Sequence, residues 1–380
     1  MTEPSFLVQG WCPGALRPMM SGDGLVVRVR PQVGRLTQDQ AAGIAAAARA
    51  HGNGLIDLSV RGNVQLRGVS EVSHPRLIAD LRTLGLIDAD AGDEARRNIL
   101  VTPFADAATD ALATRLGAAL PRMPHLPGKF GFVVDTGAAP VFGGIAGDIR
   151  FERATGGGLV IRCEGAPLGA AVTEDEAAQA AVELAQWFVD AGGVTGGRGR
   201  MAALIGRGVG PEGHLAGKVA PAPTAPAPAP GLVAEGALVG FAFGQMTAQT
   251  LAELAALGPL RITPWRMVLI EGLRALPDLS GLILRADDPI RRVEACPGAP
   301  ACLQALAPVR GLASRLAHDV PEGRLLHVSA CAKGCAHPGR ADLTLVATAE
   351  GFDLIRNGSA HDTPDRRALA PAMIDLKGLF

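Results

Sequence analysis

The chain alternates short apolar strands with alanine-rich helices, and the first part of this order is regular. Residues 24–31 alternate apolar and basic side chains, as a strand with one solvated face does. Thr37 and Gln40 have the spacing of a capping box at the start of a helix. A strand over 55–69 and a helix over 74–84 follow, which predicts a β-α-β-α half-unit.

The same succession recurs in the second half of the chain. A strand over 237–244, a helix over 247–257 and a strand over 259–273 repeat the order. Aligning Ser59 with Thr263 then matches apolar with apolar residues and glycine with glycine further along. An internal duplication predicts two similar modules related by pseudo-two-fold symmetry, with a ligand site between them.

The two copies differ in chemistry at two aligned positions. Arg61 and Gln65 in the first copy correspond to Trp265 and Leu269 in the second. Two interpretations stay open: only the first copy faces an anionic ligand, or its strand has a solvated face.

A proline- and alanine-rich stretch separates the two repeats and predicts an extended, semi-rigid linker. The expected organisation is a half-domain over 1–90, an α/β domain over 91–218, the linker over 219–232, a second half-domain over 233–288 and a last α/β domain over 289–380.

Composition excludes several function classes. The 380 residues carry a formal net charge of −1, with no tyrosine and three tryptophans, so a nucleic-acid-binding surface is not expected. The sequence shows no signal peptide and no long apolar run, so we expect a cytoplasmic protein without a membrane span. A G-x-G-x-x-G match over 208–213 follows a helix and contains proline, so we reject it as a nucleotide site.

Four of the six cysteines form two close pairs near the C-terminus. Five residues separate Cys296 from Cys302, three separate Cys331 from Cys335, and 28 lie between the pairs. A structural zinc site normally has closer pairs, and a disulfide does not suit a reducing compartment. The pattern therefore favours an iron–sulfur cluster, of the [4Fe–4S] type, over both alternatives. The remaining cysteines, Cys12 and Cys163, are expected to be free thiols or small buried residues.

This cysteine pattern resembles the cluster motif of the nitrite and sulfite reductase superfamily, and so does the order of modules. The resemblance implies an α+β fold of duplicated ferredoxin-like half-domains plus two α/β sulfite-reductase-type domains, the second carrying the cluster. It also implies that Cys335 corresponds to the cysteine that bridges the cluster and the sirohaem iron in the reductases.

The resemblance further implies a set of basic residues around a macrocycle and its carboxylates. These are Arg61, Arg97 and Lys129, with Gln65 and Arg67 as weaker candidates. The reductases usually have a second lysine two residues after the first, where this sequence has Gly131. Losing a cation weakens the case for reduction of a small oxyanion, whereas arginines suit a substrate with many carboxylates.

The amino-acid sequence around residues 11–15, 61–68, 295–302 and 327–337 is similar to that of the precorrin-3B synthase family. That resemblance implies a monooxygenase of cobalamin biosynthesis, which hydroxylates precorrin-3A at C20 and closes a lactone. It implies O2, a [4Fe–4S] cluster, a mononuclear non-haem iron and NADH as an indirect electron source through a separate reductase. The alternatives are a sirohaem-dependent assimilatory sulfite or nitrite reductase and an electron-transfer subunit without an active site.

The sequence contains no clear 2-His-1-carboxylate set for a mononuclear iron. His327 and His337 flank the second cysteine pair and are the first histidines to examine, although hydrogen-bonding or surface roles are more common. Lys333 lies between two cysteines and either tunes a cluster by its charge or is simply exposed.

Overall fold

The first half-domain is a sheet covered on one face by two helices. The structure is a computed structural model that describes residues 13–137 and 139–380, so Cys12 lies outside it. The elements are β1 (Met19–Ser21), β2 (Gly24–Val29), β3 (Arg35–Leu36), α1 (Gln38–His51), β4 (Leu55–Leu58), β5 (Val64–Val69) and α2 (His74–Thr83). The capping box is confirmed: the Thr37 side chain accepts from Gln40 N, and the Gln40 side chain accepts from Thr37 N.

The single strand predicted over 55–69 is wrong, because the chain forms a hairpin there. Ser59 Oγ accepts hydrogen bonds from the backbone N–H groups of Arg61 and Asn63, which closes the turn between β4 and β5. Gly62 at the turn has a φ of 64°, a left-handed conformation that glycine adopts without strain. The half-unit is therefore β-α-β-β-α, and Arg61 lies in a turn.

The first α/β module follows. Its elements are α3 (Ala91–Arg96), β6 (Ile99–Val101), α4 (Ala107–Ala119), β7 (Phe132–Asp135), β8 (Ile149–Arg153), β9 (Leu159–Cys163), β10 (Ala170–Val172), α5 (Ala177–Asp190) and α6 (Met201–Ile205). Strands β6, β7 and β8 are parallel, and β9 and β10 continue the sheet antiparallel. The proline-rich segment then runs along this module: Ala222 N donates to Arg153 O, and Ala225 N donates to Pro140 O.

The second half-domain repeats the first in detail. Its elements are β11 (Gly231–Val233), β12 (Gly236–Phe241), β13 (Gln245–Thr247), α7 (Ala248–Leu257), β14 (Leu260–Ile262), β15 (Met267–Glu271) and β16 (Leu282–Ile283). Here too the strand predicted over 259–273 is a hairpin, with Thr263 Oγ1 bonded to both N and O of Met267. Val33 and Phe243, at equivalent turns, both have positive φ, of 48° and 56°.

The two half-domains exchange edge strands. The first sheet has the order β1-β2-β5-β4-β13, and the second has β11-β12-β15-β14-β3. Each half thus supplies the last strand of the other half's sheet. Helices α1 and α7 pack against each other beneath both sheets, and one core contains Ile44 and Leu66 from the first half with Leu254 and Val268 from the second. The predicted duplication is confirmed, and the halves form one body.

The last module repeats the first α/β module. Its elements are β17 (Val293–Ala295), α8 (Arg310–Leu316), β18 (Leu326–Ser329), β19 (Ala341–Thr348), β20 (Gly351–Gly358) and β21 (Arg366–Leu369). Strands β17, β18 and β19 are parallel and the last two antiparallel, as in the first module. In the described part of the chain, none of the helices could span a bilayer, being too short or too polar.

Candidate active site

The four cysteines lie where two neighbouring parallel strands end. Cys296 follows β17 directly, and Cys331 follows β18 after one residue. Because parallel strands end at the same edge of a sheet, both cysteine loops start side by side, the usual position of ligand sites in such sheets. Gly298 and Gly334 have φ values of 70° and 62°, which lets each loop turn back sharply.

The thiols interact with one another electrostatically. Burial raises the pKa of Cys296, and the neighbouring Cys331 and Cys302 add to the rise. Burial also raises the pKa of Cys335, against the lowering effect of the half-buried Lys333. Iron would bind the cysteines as thiolates.

The donor set fits an iron–sulfur cluster. Four thiols on two adjacent loops are soft ligands of the right type and number. Among the described residues, no group of three or more His, Cys, Asp or Glu side chains converges on a position for a single metal ion. In a cubane [4Fe–4S] cluster each iron binds one thiolate. The four sulfur ligands therefore surround the cluster and do not converge on the position of a single metal ion. The described cysteines contain no disulfide, and Cys163 is buried with its pKa raised to about 12 by burial.

Arg67 holds the first cysteine loop against the first half-domain. Its Nη2 donates to Ala301 O at 2.6 Å, and Ser21 Oγ donates to the same oxygen. The guanidinium also pairs with Asp23 at 2.7 Å and with Asp57 at 3.1 Å. Arg67 is only 4 % exposed, so its place in the structure is that of an anchor for the loop that ends in Cys302.

Three of the predicted basic motifs meet in space. Arg61 Nη2 donates to the carbonyl oxygen of Lys129 at 3.3 Å, and Asn98 Nδ2 donates to Phe130 O at 2.9 Å. The hairpin turn of the first half-domain thus touches the lysine loop of the first α/β module. Lys129 is exposed, and Arg61 is partly exposed.

Two other predicted residues are engaged by protein groups. Arg97 pairs with Asp88 at 2.7 Å and donates to Arg30 O at 2.9 Å. Gln65 Oε1 accepts from Arg28 Nε and Nη2 at 3.0 and 2.7 Å.

A cavity of about 470 Å³ opens beside the lysine loop, and Gly128 and Phe130, the neighbours of Lys129, line it. Its charged and titratable lining comprises Arg17, Arg30, Glu94, Arg96 and His125. Glu94 is committed to the backbone, since its carboxylate accepts from Ala15 N and Leu16 N. The other charged side chains of the lining are three arginines, Arg17, Arg30 and Arg96, of which Arg96 is paired with Asp93.

Sequence reasoning missed Arg30 as a cavity residue. The alternation over 24–31 assigned the basic residues to a solvated face, but Arg30 is 8 % exposed. It stands just after β2, where the strand's alternation ends. The available signal in the sequence was that this arginine stands directly before Pro31, where the strand ends.

The comparisons with known proteins agree with this architecture. Residues 17–84 match the family model of the nitrite/sulfite reductase ferredoxin-like half domain. The chain is 32 % identical to a precorrin-3B synthase from Sinorhizobium sp over 94 % of its length and 84 % of that protein's. The chain belongs to the precorrin-3B synthase family. As a member of that family it is an oxidoreductase. Its fold also resembles that of Mycobacterium tuberculosis NirA, with a TM-score of 0.61 at 19 % identity, over 90 % of this chain and 76 % of that one.

Gly131 of this precorrin-3B synthase family member is closed to a side chain. A Cβ atom built there would lie 2.7 Å from Asn98 Nδ2, and the Gly131 N–H is bonded to Asp148 Oδ2 at 3.0 Å. The position where the reductases usually have a second lysine is therefore filled by the Asn98 amide. A lysine here would require Asn98 to move.

His327 is a buried histidine on β18. It is fully buried, and neither ring nitrogen has a hydrogen-bond partner among residues 13–137 and 139–380. Burial and the nearby His337, whose ring lies 5.9 Å away, lower the pKa of His327 to about 4. His337 itself is bonded through Nε2 to Arg340 O. The histidines do not form a convergent metal set with a carboxylate among the described residues.

Proposed function

We propose that the protein is the monooxygenase that converts precorrin-3A to precorrin-3B in cobalamin biosynthesis. O2 supplies one oxygen atom for hydroxylation at C20, and the ring A acetate closes a lactone. The other oxygen atom leaves as water, and the two electrons required come from NADH through a separate reductase. Family membership supports this reaction, and the site geometry supports its substrate class.

The observation that carries the proposal is the cation-lined cavity beside Lys129. Arg17, Arg30 and Arg96 line a space of about 470 Å³. Guanidinium groups pair with carboxylates through two parallel hydrogen bonds, so such a wall suits a macrocycle that carries acetate and propionate arms. Lys129, between the lining residues Gly128 and Phe130, and Arg61, which contacts it, would bind further carboxylates and orient the ring.

The cysteines Cys296, Cys302, Cys331 and Cys335 would hold a [4Fe–4S] cluster. The cluster would supply one-electron transfer to the site. The first sheet links the cysteine loop to the cavity. Arg67, which holds the cysteine loop, lies on β5, and Arg30, which lines the cavity, directly follows the neighbouring strand β2. For the mononuclear iron that the family resemblance implies, the described residues contain no convergent set of histidines and carboxylates.

The test begins with anaerobic purification, an optical spectrum, and iron and acid-labile sulfide counted on the same sample. The loaded protein is then incubated with precorrin-3A, a reductant and isotopically labelled O2. The proposal expects a product carrying one labelled oxygen atom, and no sharp macrocycle bands in the resting protein. Tightly bound sirohaem together with sulfite or nitrite reduction, and no product from precorrin-3A, would establish the reductase instead.

A further inference from the structure

Arg310, the first residue of α8, places a positive charge beside the cysteine loops. Val309, the preceding residue, contacts the first cysteine loop, where its N lies 3.0 Å from a Cβ built on Gly298. The Arg310 guanidinium is thereby brought near Cys296, with which it interacts electrostatically. The side chain is 20 % exposed, and Cζ lies 5.9 Å from the centroid of the Phe243 ring. The second half-domain thus supplies the surface on which this arginine is packed.

The charge of Arg310 is only loosely balanced by protein groups. Asp57 Oδ1 lies 3.8 Å from Nη2, which is longer than a hydrogen bond. Asp57 is also bound by Arg67 Nη1 at 3.1 Å and by Gln245 Nε2 at 2.8 Å. The buried Nε of Arg310 has no hydrogen-bond partner in the part of the chain that the structure describes.

An incompletely paired buried cation destabilises a fold unless an anion accompanies it. Arg67 and Arg266 lie close enough to act on Arg310 as well, so cations are concentrated at this point. A cluster held by four thiolates carries a net negative charge, which becomes more negative when the cluster accepts an electron. Net charge and hydrogen bonds near the sulfurs are the protein's means of setting a cluster's reduction potential.

We propose that Arg310 is a positioning residue that raises the reduction potential of the cluster, with Phe243 and Asp57 holding its guanidinium beside Cys296. This inference rests on the proposed function, because it requires that the four cysteines bind a cluster. When bound, the cluster would take up one electron from a reduced donor, and the fixed charge of Arg310 would stabilise the reduced form.

The experiment is a redox titration of the full-length, cluster-loaded protein with dithionite, followed by electron paramagnetic resonance. Arg310→Gln removes the charge and should lower the midpoint potential. We expect the reduced-to-oxidised ratio at a fixed potential to fall about tenfold, which equals 59 mV for a one-electron couple. Arg315→Gln is the matched control, since Arg315 lies on the same helix, is exposed and donates to Pro371 O. Its midpoint should equal that of the unmodified protein.

A second variant covers the case in which Arg310→Gln does not fold or load. Arg310→Lys keeps the positive charge, so its midpoint should equal that of the unmodified protein. A normal cluster with an unchanged midpoint in Arg310→Gln, or a midpoint in Arg310→Lys as low as a tenfold fall of the reduced-to-oxidised ratio requires, overturns the inference. Absence of iron and sulfide from the unmodified protein would instead overturn the proposed cluster, so the two failures are distinguishable.

Discussion

Arg67 donates a 2.6 Å hydrogen bond to the carbonyl oxygen of Ala301, so a buried arginine of the first half-domain holds the residue directly before Cys302. Two modules far apart in sequence are thereby joined directly beside Cys302, one of the proposed cluster ligands.

Replacing Arg67 by methionine should lower both stability and cluster content. The substitution leaves Asp23 and Asp57 without their buried partner, and breaking such a pair costs about 3–5 kcal/mol. Urea unfolding and iron and sulfide analysis measure the two effects. Arg285→Gln, at the exposed pair with Asp287, is the control and should change neither. Full cluster content in the Arg67 variant would show that the loop containing Cys302 binds the cluster without the Arg67 hydrogen bond.

Gly131→Ala should destabilise the protein by about 1–3 kcal/mol, because the new methyl group overlaps the Asn98 amide. Adding Asn98→Ala should recover part of the loss, since it removes the overlapping atoms. Gly128→Ala, in the same loop, is the control, because nothing lies within 4 Å of a Cβ built there. Denaturant titration decides, and equal stabilities of the two alanine variants would contradict the packing argument.

His327 should make stability depend on pH. The unfolded histidine takes up a proton near pH 6.5, whereas the folded one does so only near 4, because burial lowers its pKa. The unfolded state therefore binds more protons between these values, and stability falls as pH drops from 6.5 to 4, by on the order of 3 kcal/mol. In metal-free protein, His327→Phe should flatten this part of the profile. The exposed His214→Gln variant should retain it, and a His327→Phe profile that also retains it would rule out the buried imidazole as the cause.

Arg61→Ala and Lys129→Ala should weaken turnover of precorrin-3A without loss of the cluster. Each removes a cation that would bind a substrate carboxylate, and a charge-assisted hydrogen bond contributes about 1.5–3 kcal/mol, or roughly 10- to 150-fold in kcat/KM. Steady-state kinetics and iron analysis on the same preparations test this. Arg207→Gln, an exposed arginine bonded to Gly192 O, serves as the control. Normal kinetics in both alanine variants would show that the substrate carboxylates do not bind at Arg61 and Lys129.

Local signals in the sequence were sufficient for much of the fold. The Thr37 capping box needs only residues three apart, and the repeat was visible because Ser59 and Thr263 start the same hairpin turn in both copies. The hairpins themselves were missed, since apolar residues continue on both sides of each turn. The turns are closed by backbone hydrogen bonds and by the hydroxyl of Ser59 or Thr263, which the apolar pattern does not show.

The site was less predictable, because its contacts join distant segments. The cysteine spacing predicts the cluster ligands, and this stays a prediction. Arg67 was a weaker candidate for substrate binding, and the structure shows its guanidinium bonded to Asp23, Asp57 and Ala301 O. Arg30 escaped notice because its burial depends on the neighbouring module. Exchange of β3 and β13 between sheets has no signature in either strand, since each is only two or three residues long.

The strand exchange delays completion of the first sheet while the chain is synthesised at the ribosome. Strand β4 lacks its outer neighbour until Gln245–Thr247 have left the exit tunnel, long after the first half-domain and the first α/β module have emerged. During that interval the nascent chain presents an open sheet edge and half of a shared core, features that favour association with chaperones or with other chains. Completion of the first sheet is therefore tied to translation of the second half, and a chain released early would lack a finished scaffold for Arg61 and Arg67.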